Sequence, residues 1–427
     1  MRELVEHPPL EAILPEKTSS IRGWLVVGGC FVSVLIGPAL VASTFSVFFA
    51  ALLESVPWSR ASIAFAYSLY VLVYGLSGPA VGRLCETLGP KKVFLSGAVL
   101  IAGGGALLSV VQEVWQFCLL YGALGVTAGM TGIVPVTVLI SRWFVDNRGL
   151  ALGIAYSGTI GALFLSPLAQ SLVAALGWRY AYLLIGVSAG LALFGTILAT
   201  VQDAPALRTG QRPVPPTQPT PRQAEVGFTL REAMGTQPFW LLAGSGFLFF
   251  CALTGVFSHV IPLALDKGLA KGLAALSLGV MIGMGTVGKV GMGYLADRYA
   301  AGRVLLWTFL IQAVAVLLVV WGEGAVLFWT FVTLFGIAQG GALTLAPVVL
   351  GTLFGNGSLG SLVGTYWLVA TVGSLVGPPV AGALRDSTGT YFLVLILFAA
   401  ALAGAAVLAG LIRNERLAVV RMPPSSA

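Results

Sequence analysis

The sequence predicts an all-α polytopic membrane protein, with 12 transmembrane helices in two pseudo-symmetric six-helix bundles. Three observations lead there. Of the 427 residues, 57% are hydrophobic and only 9% charged, whereas a soluble domain carries roughly a quarter charged residues. Twelve apolar stretches follow one another, each long enough to cross a bilayer as a helix. The first six also match the last six at a nearly constant offset. The 55 glycines fit helices that pack closely in lipid through small residues.

Taken in order, residues 1–21 form a polar tail with four glutamates and three prolines. It lacks a basic n-region and a cleavage site, so no removable signal peptide is expected. The apolar stretches lie at about 22–49, 59–84, 91–111, 115–141, 148–176, 178–201, 238–265, 272–297, 303–321, 325–353, 359–385 and 390–412. Between the sixth and seventh, residues 202–236 hold six prolines from Pro205 to Pro221 among Thr, Gln and Arg. Such a stretch has no apolar face to bury and is expected to be an extended cytoplasmic linker. It separates an N-terminal bundle, 22–201, from a C-terminal bundle, 237–413, and 414–427 make a second cytoplasmic tail.

Basic residues set the orientation. With both termini inside, Arg60, Arg179, Lys267, Lys271 and Arg385 fall outside and Lys289 within the membrane, leaving 17 of the 23 Lys and Arg on the cytoplasmic side. This is the positive-inside pattern, and an odd number of helices would spoil it. The expected location is the cell's inner (plasma) membrane, with the lipid bilayer as the chief partner. The same pattern explains the net charge of +7 without nucleic acid.

Internal repetition is specific. Gly82 to Glu86 after the second helix matches Gly293 to Asp297 after the eighth, at an offset of 211. Pro135, Gly161, Pro167 and Gly177 match Pro347, Gly373, Pro379 and Gly389 at 212. Duplicated halves with a site between them near the midplane are a known transporter plan. Within the eighth stretch, Lys289 lies eight residues from Asp297. That puts it about 12 Å deep in a hydrocarbon core ~30 Å thick. A lysine there costs roughly 3 kcal/mol on insertion scales. Its stem of about 6 Å does not comfortably reach the surface, and no acid in the chain lies comparably deep. An unpaired cation at this depth is expected to meet an anion from outside.

The loop after the second helix carries Gly82, Leu84, Glu86, Gly89, Lys91 and Lys92, and its second copy Gly293, Leu295, Asp297, Arg298 and Arg303. These residues resemble the signature of the major facilitator superfamily, where the motif acts as a cytoplasmic latch between helices. Glu86 stands for the usual Asp and Thr87 for the usual Arg, and Ala300 replaces the later glycine of the second copy. Ser141–Phe144 with Arg148–Gly153, Gly177–Arg179, Leu230–Ala233 and Phe239-Trp240 are most similar to the monocarboxylate transporters and oxalate/formate antiporters. The resemblance covers residues 22–412 and implies the major facilitator fold. It also implies a small carboxylate anion as substrate, with a proton or a counter-transported anion as the coupled partner. Lys289 stands where those relatives carry an arginine, so recognition would be less geometrically exacting. Gly285 stands where the animal carriers place an aspartate, and helix eleven offers Tyr366 and Trp367 in place of a second cation, which disfavours a dicarboxylate.

Lys289 is thus the leading substrate-binding and proton-coupling candidate. Burial disfavours a charged lysine, so the empty carrier would hold it neutral and take up proton and carboxylate together. His259 is a second proton-coupling candidate, since its unperturbed pKa is near neutral, although a histidine near a helix end ordinarily bonds a carbonyl or interfacial water. Tyr67, Tyr70 and Tyr74 share one helical face. An aromatic stripe of that kind is more often packing, yet a phenol also donates to carboxylates. Tyr121, Tyr366 and Gln339 are further substrate-binding candidates. The latch set is Gly82, Glu86, Gly89, Lys91, Lys92, Gly293, Asp297 and Arg298. The four cysteines lack metal-ligand spacing, and no HExxH, GxxxxGK[ST] or GxSxG motif appears, so neither metal, cofactor nor enzymatic activity is expected.

The resulting expectation is a monomeric secondary carrier of a small monoanion. Two alternatives remain open at this stage: a proton-coupled carrier of a larger, mostly neutral compound, and a non-transporting anion receptor. A thermal-shift screen of small carboxylates is expected to find a stabilising ligand whose effect disappears in Lys289→Gln. Stabilisation that survives the substitution would remove Lys289 from the site.

Overall fold

The computed structural model describes residues 21–202, 227–322 and 324–412. The tail ascribed to 1–21 (apart from Ile21), most of the linker 202–236 and the tail 414–427 lie outside the described residues. Eleven helical stretches among those described are long and apolar enough to cross a membrane. The fifth, Arg148–Thr200, has 53 residues and is broken at Gly177, whose φ of 79° and ψ of 162° no helix accommodates. Only glycine adopts that conformation without strain. The break yields two crossings and brings the total to twelve.

The crossings are α1 (Ile21–Ser55), α2 (Arg60–Thr87), α3 (Pro90–Ser109), α4 (Val114–Trp143), α5 (148–176), α6 (178–200), α7 (Gln237–Asp266), α8 (Lys271–Arg298), α9 (Ala301–Trp321), α10 (Ala325–Phe354), α11 (Leu359–Thr388) and α12 (Phe392–Leu411). The first runs six residues beyond the apolar stretch read from the sequence. It contains a π-helical segment, Leu35–Ala39, around Pro38, the usual response to a missing backbone N–H inside a helix. Near the end of the linker region, Leu230–Met234 forms a five-residue helix with a Thr229–Glu232 capping box. Gly227 bridges Gly355 beside it.

The halves are built alike. α2 packs on α4 as α8 packs on α10, and α3 on α6 as α9 on α12. Across the halves, α2 packs on α11 as α5 packs on α8. Outward faces are apolar and exposed, as Phe65, Leu72 and Leu76 of α2 illustrate, while buried aromatics such as Phe249, Phe309 and Phe335 fill the interior of the C-terminal half.

Helix backbones approach closely where glycines face one another. A Cβ on Gly78 would lie 2.7 Å from the Gly364 carbonyl oxygen, and one on Gly288 would overlap the carbonyl of Ile337. Gly288→Ala is therefore expected to destabilise the purified protein by about 1–3 kcal/mol, read as a lower Tm. Gly291, with nothing within 4 Å of its would-be Cβ, supplies the control: Gly291→Ala should leave Tm unchanged or raise it.

Candidate functional site

α8 carries one charged side chain away from its ends, Lys289, and the residue is 5% exposed. Small residues make the place. Gly285 and Gly288 bring α8 against α10, and a Cβ on Gly153 of α5 would overlap the Lys289 carbonyl oxygen. The ammonium donates to the carbonyl oxygen of Tyr156 at 3.3 Å and to Oγ1 of Thr159. Both partners belong to the opposite half. Tyr156 ends the first α-helical part of α5, and Ser157–Gly161 tighten into a 3₁₀ turn. Thr159 Oγ1 itself donates to the Tyr156 carbonyl at 3.2 Å. Among the described residues no carboxylate lies within ion-pair distance of Lys289. One turn earlier, the hydroxyl of Thr286 is buried without a partner.

The remaining candidates fall into separate groups. Gln339 of α10 is buried with its amide against Gly285, one turn from Lys289 along α8. Tyr366 of α11 is buried with its ring against Gly246, beside Trp367, whose indole N–H is buried and unpartnered. Tyr67, Tyr70 and Tyr121 form an aromatic wall in the N-terminal half. Tyr67 stacks on Phe45 at 4.6 Å and lies 5.6 Å from Tyr70, and Tyr70 donates to the Pro38 carbonyl at 3.4 Å. Tyr121 meets Phe45 edge-on and shares a 2.9 Å hydrogen bond with Tyr182. On α2 this face is opposite the lipid-exposed one. His259 belongs to another neighbourhood. Its Nδ1 lies 3.0 Å from the Tyr391 hydroxyl and Nε2 3.4 Å from the Pro378 carbonyl, near the Asp266–Arg385 ion pair of 3.0 Å.

The latch residues converge at one end of the molecule. Glu86, ending α2, accepts from the Ser361 N–H at 2.8 Å and its hydroxyl at 3.0 Å. Asp297, ending α8, accepts from the N–H groups of Gly149 and Leu150 at 2.7 and 2.8 Å. Each acid thus caps the N-terminus of a helix in the other half, where free N–H groups and the helix dipole favour negative charge. Gly82 meets Gly360 as Gly293 meets Gly149, and all these pairs obey the 211 offset. Gly89 (φ 87°) makes the turn into α3, whose first turn carries Lys91 and Lys92. Arg298 stacks over Tyr294 at 4.5 Å. Tyr156, Thr159 and Ser361 belong to no motif in the sequence; the polar, glycine-containing run Ser157–Gly161 inside an apolar span is the one available signal.

Twelve crossings in duplicated halves, joined at one end by paired acid–helix contacts, are the architecture of a membrane transport protein. The family model "Major Facilitator Superfamily" matches residues 30–325 and 286–425, and the chain belongs to that superfamily, whose members are transporters and not enzymes. It is homologous to monocarboxylate transporters. It is 26% identical to monocarboxylate transporter 12 of Mus musculus over 92% of this chain and 85% of the relative. With monocarboxylate transporter 11 of Homo sapiens it is 30% identical over 86% and 78%. Among solved structures it is similar to the transporter FucP in the outward conformation, with a TM-score of 0.72, 16% identity and coverage of 93% and 100%. The chain is therefore a multi-pass membrane protein that handles a small molecule in a lipid environment.

Removing either acid leaves helix-end N–H groups without their charged acceptor, worth about 1.5–3 kcal/mol each. With the native cysteines replaced, a cysteine at the buried Thr365 should react faster with a water-soluble maleimide in Asp297→Asn and Glu86→Gln. Unchanged reactivity would show that the acids do not hold this end shut.

Proposed function

We propose that the chain is a secondary active transporter of a small organic monoanion, such as lactate, pyruvate or formate. It works by alternating access, driven by proton symport or anion exchange. One observation carries the proposal: the Lys289 ammonium is buried between the halves, is solvated by a carbonyl and a hydroxyl, and meets no carboxylate. With two acceptors from the opposite half to solvate it, the group keeps its proton in the empty carrier, in place of the neutral form that burial alone favours. A carboxylate entering beside it exchanges neutral acceptors for an anion, which adds the attraction of an ion pair to the hydrogen bond. Gln339, one turn away, supplies an amide, and Tyr366 with Tyr67, Tyr70 and Tyr121 supplies phenols and ring surface. The printed names of the relatives, monocarboxylate transporters 11, 12 and 13, support the substrate class.

In the proposed orientation both termini and the Glu86–Asp297 end face the cytoplasm, consistent with the distribution of Lys and Arg. The bundles 22–201 and 237–413 then rock about the Lys289 level, closed inside in the state described. His259, tied to Tyr391, would influence coupling only from the outer end of α7.

Uptake of labelled lactate into proteoliposomes, with and without an inward proton gradient, tests the function. Wild type should accumulate lactate, and Lys289→Gln should lower initial uptake on the order of 30-fold, the equivalent of about 2 kcal/mol for a lost charged hydrogen bond. Binding without accumulation would indicate a receptor. Equal uptake by the variant would separate Lys289 from the substrate.

A further inference from the structure

We infer that Thr159, with the carbonyl of Tyr156, is a latch that ties the empty carrier into its present conformation through Lys289, and that the substrate anion releases it. The inference rests on the function proposed above and adds a positioning residue. Its consequence is that the empty carrier reorients slowly and the loaded one quickly.

Comparison of the two inter-half crossings carries the argument. At the α2–α11 crossing, Gly78 rests on Gly364; at the α8–α5 crossing, Lys289 rests on Gly153. Position 78 corresponds to 289 and 153 to 364 at the offset of 211, so the two crossings are copies of each other. One is bare backbone against backbone, while the other carries an ammonium reaching into the opposite half. The receiving helix is modified to match. α11 runs as unbroken α-helix from Leu359 to Thr388, whereas α5 changes to a 3₁₀ turn at Ser157–Gly161. That turn places Thr159 Oγ1 and the Tyr156 carbonyl on the same nitrogen, and Thr159 is itself braced on Tyr156.

Other polar contacts between the halves, from Asp297, Glu86 and Arg148, lie at the closed end. An anion at mid-depth does not touch them. The Lys289 tie is the one that the substrate's own chemistry breaks, because a carboxylate outcompetes a hydroxyl for an ammonium. With the tie intact, separating the halves would strip a desolvated charge of its acceptors. With an anion bound, the charge moves with its partner and α5 is free.

The test uses the full-length protein with its four cysteines replaced. Spin labels are placed at Glu54→Cys and Lys271→Cys, both exposed at the end opposite Glu86 and on different halves. Label separations are measured without ligand and with lactate. Thr159→Val keeps the side-chain shape and removes the hydroxyl, and Thr159→Ser restores it. Without ligand, wild type and Thr159→Ser should show one long separation, and Thr159→Val should add a shorter population. In proteoliposomes wild type should exchange lactate roughly tenfold or more faster than it releases it into lactate-free buffer, as expected when a modest tie biases a two-state equilibrium. Thr159→Val should close that gap by raising net release, which a folding defect does not do. Separations and ratio unchanged in Thr159→Val would overturn the latch, even if lactate is transported. If lactate neither moves nor shifts the labels while Thr159→Val still adds the short population, the latch stands and the substrate proposal falls.

Discussion

Keeping an ammonium out of water requires other dipoles to solvate it, and in this protein those dipoles belong to the other half of the molecule. Lys289 is anchored in α8, yet its two acceptors are on α5. A single side chain thereby makes the chemistry of the site and the relative position of the halves into one problem. Neither acceptor carries charge, so the group remains electrostatically unfinished. That combination of satisfied geometry and unsatisfied charge is what the glycine contacts at Gly153, Gly285 and Gly288 and the 3₁₀ turn in α5 serve to build.

The duplicated architecture shows how this was achieved without disturbing the frame. Glu86 and Asp297, Gly82 and Gly293, Gly360 and Gly149 occupy equivalent places and make equivalent contacts. Backbone meets backbone in both crossings, which only small residues permit. The copies depart from each other at 78 and 289, where one carries glycine and the other lysine. The lysine keeps the close backbone contact, since its carbonyl oxygen still lies against Gly153, and adds a side chain that reaches Thr159.

Most of the frame was legible in the sequence because lipid imposes length and apolarity on every span. The gap placed at Gly177 corresponds to the one residue whose φ leaves the helix. The first span ends at 49 when read from the sequence because its last turns carry Glu54 and Ser55, which look like loop but continue the helix to Ser55. Lys289 was legible for the opposite reason, since a charge inside a span is too expensive to be incidental. Its partners were not. A threonine in a helix ordinarily bonds back to a carbonyl one turn earlier, and Thr159 does bond to Tyr156; nothing local announces that it also receives a lysine 130 residues away. The tyrosines shared a face as their spacing required, but which of them meet Phe45 or Tyr182 depends on helix packing that spacing alone does not encode.

At the closed end, three of the four groups that the acids hold are main-chain N–H groups, at Gly149, Leu150 and Ser361. Every residue except proline offers such a group, whatever its side chain. Drift at position 150 therefore leaves its bond to Asp297 in place, whereas drift at 361 costs the hydroxyl bond to Glu86, and drift at 86 or 297 costs the acceptor itself. What the clasp demands is therefore an acid on one helix and, on both helices, the glycines that let the backbones meet, Gly82 with Gly360 and Gly293 with Gly149.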